Sequence, residues 1–203
     1  MCIICTNEYT NDITGLDCCE NVTEIPDILV NLERLSCSNS KVIKIPDTLI
    51  KLKHLYCSHT NIEEIPENLT LLNTISCSYT KVTVIPNTLI NLTHLFCHDT
   101  DVSEIPETLI NLTNLFCFES NVFEISNKFV KLINLSCYNT NITFMPDNFV
   151  HIKILYCNIE YIPSIYEQYS MNDKVQYYNS YYIKKFQKII RKRQVLKIIN
   201  EIP

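Results

Sequence analysis

Eleven cysteines among 203 residues are the side chains best equipped for chemistry in this chain. A thiol can ligate a metal, close a disulfide or, once ionised, act as a nucleophile. Seven of them, Cys37, Cys57, Cys77, Cys97, Cys117, Cys137 and Cys157, recur every twenty residues without a slip. The other four, Cys2, Cys5, Cys18 and Cys19, crowd the N-terminal end. Five histidines are the next candidates. His94 and His98 are separated by four strand residues, about 13 Å, which is too far for one metal ion. His98 follows Cys97 directly, so in a strand the two side chains point to opposite faces and cannot form a nucleophile–base pair. His59 and Asp99 hold matching positions two units apart, which is no dyad. No catalytic residue, cofactor or metal is therefore expected, and the chain is read as a non-enzyme.

The period itself says how the cysteines are held. Each sits in one frame, seen as Leu52, Leu55, Cys57, Thr60, Ile62, Ile65, Pro66 and Leu69. Fixed short repeats stack so that each unit buries its apolar face only against its neighbours. Within a unit Leu-x-Cys alternates as a short strand does: Leu55 and Cys57 face in, while His54, Tyr56 and Ser58 face out. Ser or Thr follows three residues after the cysteine (Ser40, Thr60, Thr80, Thr100, Ser120, Thr140), where a hydroxyl can bond a turn backbone group. Val or Ile then re-enters the core. Proline at 26, 46, 66, 86, 106 and 146, each followed by an acidic residue or Asn, predicts an extended entry into one or two helical turns.

The frame Leu92-x-x-Leu95-x-Cys97-x-x-Thr100-x-Val102, then Ile105-Pro106-x-x-Leu109, resembles the leucine-rich repeat family. Cysteine stands where the family has its third leucine, and Ser or Thr where it has Asn. The resemblance covers residues 13–163 and implies an α/β solenoid of eight units, with a parallel sheet on its concave face. Residues 1–12 form an N-terminal segment, and 164–203 a Tyr-rich linker followed by a basic amphipathic helix that caps the solenoid. The residue usage is similar to that of leucine-rich proteins of giant DNA viruses, which implies the host cytoplasm as the compartment.

Composition bounds the rest. Hydrophobic residues make up 46% of the chain, ample for a core. The net charge of −5 combines an acidic body with a basic tail, which suits docking of the tail on an acidic surface. Parallel strands lie about 4.8 Å apart, whereas a disulfide brings Cβ atoms to about 3.5–4.5 Å, so the seven spaced thiols are read as reduced core residues. That reading, the lack of a signal-peptide pattern and the lack of any run near the ~20 apolar residues of a span predict an intracellular, cytoplasmic protein without a membrane span. Six Asn-x-Ser/Thr sequons point the other way, but they follow from repeating a frame rich in Asn and Thr.

Two end segments carry competing readings. Cys2-Ile3-Ile4-Cys5 looks like the opening of a RING finger, which would make the chain a ubiquitin-ligase component with a degenerate zinc-binding N-terminus. The histidine and the second ligand pair of a RING are absent, Cys18 is claimed by the first repeat, and adjacent cysteines reach one ion poorly. A frayed end or solenoid cap is preferred there. Phe186-Gln187-Lys188-Ile189-Ile190-Arg191-Lys192 is similar to the first half of an IQ motif, implying a calmodulin-like partner; membrane or nucleic acid are further readings of a basic helix. A cap over the last unit is preferred, and no nucleic acid is expected.

The outward strand positions gather aromatics. Tyr56, His94, Phe96, His98, Phe116, Phe118, Tyr138 and Tyr156 are the expected partner-binding residues, because clustered rings on a rigid sheet anchor protein interfaces. The partner is an unknown protein, and the sequence sets no oligomeric state.

Overall fold

The computed structural model describes residues 2–157, apart from 147 and 150. The Tyr-rich linker and basic helix expected in 164–203 lie outside the described residues, as do 158–163 of the last unit. Eight three-residue strands form one parallel sheet in strict sequence order: Gly15–Asp17 (β1), Arg34–Ser36 (β2), His54–Tyr56 (β3), Thr74–Ser76 (β4), His94–Phe96 (β5), Asn114–Phe116 (β6), Asn134–Ser136 (β7) and Ile154–Tyr156 (β8). Neighbours pair in register at the repeat spacing, with Leu35 on Leu55, Leu55 on Ile75 and Ile75 on Leu95. The chain is a parallel-strand solenoid.

Each unit contributes the same inward set. In one, Leu92, Leu95, Cys97, Val102, Ile105 and Leu109 are at most 4% exposed. Burying one such aliphatic side chain stabilises by about 1.5–3 kcal/mol, and no unit can do so alone, because its two open sides are covered by the units before and after. The cysteine column runs through this interior from Cys37 to Cys137 at 0% exposure, with no disulfide among these six. The seven spaced thiols thus lie reduced along the core, although Cys157 at the last strand is only half-buried.

Lateral hydrogen bonds extend past the short strands. Cys37 N–H donates to the Tyr56 carbonyl, Cys57 to Ser76 and Cys97 to Phe116, at 2.8–2.9 Å. Two residues on, Asn39, His59, Tyr79, Asp99 and Glu119 donate to the next unit at 3.0–3.2 Å. These residues and Asn139 adopt left-handed backbone, with φ between 52° and 59°. The sequence reading did not foresee this column. Left-handed backbone costs roughly 1–2 kcal/mol for a non-glycine residue, less for Asn and Asp. It is held because the lateral bond on one side and the hydroxyl clamp on the other leave no alternative. That clamp is as expected: Thr60, Thr80, Thr100 and Thr140 hydroxyls donate at 2.6 Å to the carbonyls of Cys57, Cys77, Cys97 and Cys137.

The return leg differs from expectation. It contains no helix among the described residues; after each proline come isolated turns, as in Leu52 N–H to the Leu49 carbonyl at 3.0 Å. Carbonyls that a helix would have satisfied accept instead from side chains one unit on. Asn68 donates to the Asp47 carbonyl, Thr108 to Asn87 and Asn111 to Ile90, at 2.6–2.9 Å. This ladder accounts for the Asn and Thr wealth of the frame, several sequon asparagines included.

The only helix described, Ile3–Thr6 (α1), precedes the repeats. Cys2, Ile3, Ile4 and Tyr9 pack, partly buried, against the core.

Burial pushes the thiols of Cys37, Cys77 and Cys117 up to about 12 from an ordinary 9.0, and those of Cys57, Cys97 and Cys137 well above it. Between the two values the unfolded chain has lost these protons and the folded chain keeps them. Stability contributed by the neutral thiols is therefore intact below pH 9 and lost as pH rises towards 12, by up to about 1.4 kcal/mol per pH unit for each thiol. Urea melts at rising alkaline pH should show a steep fall that Cys77→Ala makes shallower by about that amount; an unchanged slope in the variant would refute the dry column.

Candidate functional site

The open face of the sheet is built by the residues that flank the inward Leu and Cys. All eight expected partner-binding residues, Tyr56, His94, Phe96, His98, Phe116, Phe118, Tyr138 and Tyr156, lie half-buried there. Half-burial is what side chains on a flat sheet acquire when each leans on its counterpart one strand away.

Their grouping is narrower than the sequence suggested. Phe96 and Phe116 stack with ring centroids 5.0 Å apart and planes 19° from parallel. In the adjacent column His98 stacks on Phe118 at 4.1 Å and Phe118 on Tyr138 at 4.5 Å. The row continues through residues that were not foreseen: Tyr79 meets His98 edge-on at 5.3 Å and stacks on His59 at 4.3 Å. His59 and Tyr79 belong to the left-handed column, and their backbone turns them toward the row that His98, Phe118 and Tyr138 form from the preceding position. No pattern in the repeat frame marks them beyond their being rings. Tyr56 stands apart, beneath the Arg34 guanidinium at 5.5 Å. His94 Nδ1 is paired with the Thr93 hydroxyl at 2.7 Å.

An acidic group edges the ring row. His98 Nδ1 and Asp99 Oδ2 are 2.9 Å apart, with side chains 21% and 22% exposed. Burial works to raise the Asp99 carboxyl, but hydrogen bonds from His98, Glu119 and Tyr79 outweigh it and hold the group below the usual carboxylate value. Glu119 moves the opposite way, raised first by its hydrogen bond to Asp99, and Tyr79 is raised by the same carboxylate. Asp99 thus sits at the centre of a polar group with His98, Tyr79 and Glu119, beside the stacked ring faces.

A second cluster lies at the N-terminal end. Cys2 Sγ is 3.4 Å from Cys19 Sγ and 3.7 Å from Cys5 Sγ, and Cys5 Sγ is 3.4 Å from Cys19 Sγ. The sequence favours a frayed end or cap at this end because the histidine and second ligand pair of a RING are absent, Cys18 belongs to the first repeat, and adjacent cysteines reach one ion poorly. Here Cys18 is withdrawn: its N–H joins the strand ladder at Ser36, it packs against the core, and burial raises its thiol to about 12. Burial also works to raise Cys2, yet hydrogen bonds from the backbone and thiols of Cys19 and Cys5 bring it down to about 6, while its neighbours raise Cys5 to about 11.

With this geometry in view, comparison with solved structures places the fold. The chain is similar to the functional domain of InlJ from Listeria monocytogenes, described as including a cysteine ladder (19% identity, TM-score 0.66, 82% of this chain and 43% of that one). It is also similar to a leucine-rich repeat protein of Leptospira interrogans (18% identity, TM-score 0.60, 77% and 51%) and to a Shigella effector leucine-rich repeat domain (14% identity, TM-score 0.62, 87% and 83%). The chain thus spans about half the length or less of the first two. No protein-family model and no curated protein matches the sequence. At these identities the likeness shows a leucine-rich repeat fold and nothing finer.

Removing one ring tests whether the row is coupled. Phe118→Ala loses stacks with both His98 and Tyr138, about 1–3 kcal/mol in all. Tyr56→Ala loses one exposed cation–π contact, about 0.5–1 kcal/mol. Urea unfolding of the two variants should show that order, and equal losses would mean that the row is not coupled.

Proposed function

We propose that this chain is a non-enzymatic protein-interaction module whose partner docks on the outward, concave face of the sheet, across the two ring columns. The observation that carries this reading is the continuous row His59, Tyr79, His98, Phe118 and Tyr138, flanked by Phe96 and Phe116 on a scaffold fixed by lateral hydrogen bonds. Rings already locked by stacking lose little freedom when a partner covers them, which is the property of interface anchors. The carboxylates of Asp99 and Glu119 beside them favour a partner that brings a lysine or arginine to the ring faces. Neighbours described as an effector domain and a functional domain of InlJ agree with an interaction role. The buried thiols of Cys37, Cys57, Cys77, Cys97, Cys117 and Cys137, none in a disulfide, favour a reducing compartment, the cytoplasm being the one proposed. No helix among the described residues is long and apolar enough to cross a membrane.

The test compares two faces of one molecule. The full chain, the triple variant Phe96→Ser, Phe116→Ser, Phe118→Ser, and a return-leg variant Ile90→Ser, Ile110→Ser serve as baits in a lysate, with quantitative mass spectrometry and circular dichroism on each. Partners retained by the return-leg variant and lost by the triple variant, a loss of about 30-fold or more in affinity, support the reading. Partners kept by the triple variant with an unchanged dichroism spectrum would overturn it.

A further inference from the structure

We propose that Cys2, Cys5 and Cys19 form a three-thiolate site for a zinc ion that fastens the N-terminal segment to the first turn of the solenoid. The site is separate from the ring columns, and its success or failure leaves the docking proposal untouched. The three sulfurs lie within 4.8 Å of one another and form a near-regular triangle with edges of 3.4, 3.4 and 3.7 Å. Thiolates about 2.3 Å from a tetrahedral zinc ion are about 3.8 Å apart, so this triangle is a slightly compressed face of that tetrahedron. A disulfide would need about 2.0 Å, so no pair is bonded.

The local backbone builds the triangle. Cys2 is the N-cap of α1 and Cys5 lies within it, three residues apart and therefore on one side of the turn. That turn is closed by Asn7, whose left-handed backbone N–H reaches the carbonyls of Ile3 and Ile4. Cys19 comes from the chain leaving β1. The adjacent cysteine offers no competition, because Cys18 is spent as the first rung of the core column. The Cys5 N–H donates to the Cys2 carbonyl at 3.0 Å, which fixes the spacing of the two thiols along the chain. Three thiolates and no protein oxygen or imidazole make a soft donor set suited to zinc. Among the described residues these three thiols are the ones gathered within reach of one ion. The role is structural: Cys2, Ile3 and Ile4 pack against the core, and an ion shared with Cys19 ties that segment there.

The experiment uses the full chain, reduced and freed of metal by a chelator, and titrated with cobalt(II) as a spectroscopic probe. One equivalent should develop the thiolate charge-transfer band and the intense visible bands of tetrahedral cobalt, which zinc then displaces. Zinc should also raise the melting temperature by mass action. Cys2→Ser, Cys5→Ser and Cys19→Ser should each weaken binding by more than about 100-fold, beyond the 10–100-fold typical of losing an outer-shell partner. Cys18→Ala should keep the spectrum. Cys5 is exposed, so Cys5→Ser decides the matter if the other variants fold poorly. No saturable tetrahedral spectrum, undiminished binding in Cys5→Ser, or equal loss in Cys18→Ala would each overturn the proposal. So would a zinc-independent melting temperature.

Discussion

The amide of Cys57 donates to the Ser76 carbonyl, that of Cys77 to Phe96, and that of Cys97 to Phe116, so each unit hands its backbone to the next at twenty-residue intervals. This lateral coupling is the constraint on which the rest depends. Strands of three residues would have no stability alone; eight in register form one sheet because the core columns beneath them share the same period. Cysteine suits its column because it is small and apolar and, once buried, keeps its proton. A polar side chain repeated there would need a partner at every rung.

The same coupling arranges the open face. Side chains at equivalent positions are brought to strand spacing, where rings stack face to face with no further design. Function in such a scaffold is therefore written in columns, and substitutions that leave the core untouched can redraw the recognition surface. The left-handed residues add a second column to that surface. Asp99 and Glu119 occupy it in the same stretch where His98 and Phe118 stack, which sets charge beside apolar faces.

Much of this was legible because repetition multiplies weak signals. The inward Leu-x-Cys alternation and the Ser/Thr clamp after it recur in unit after unit, and both stand in the structure as read. What escaped reading has physical causes. Asn39, His59, Tyr79, Asp99 and Glu119 share a backbone conformation but no side-chain chemistry; Asn and Asp favour left-handed backbone, while Tyr and Glu give no hint. The helix expected after each proline is absent among the described residues, where the leg is short and its carbonyls are met sideways by Asn and Thr of the next unit. Local propensity yielded to a partner one repeat away. Placing Cys18 in the core was readable from the frame; the fold-back that sets Cys19 between Cys2 and Cys5 was not, because it depends on how α1 rests on the first unit.

Native-state amide hydrogen exchange, resolved by residue, addresses the central claim most directly. If lateral bonding couples the units, the amides of Cys37, Cys57, Cys77, Cys97 and Cys117 exchange only through global unfolding, with a common free energy across units. Left-handed amides such as His59 and Glu119, which also donate laterally, share that protection. Fast exchange at the cysteine amides, or protection that varies independently from unit to unit, would contradict the account.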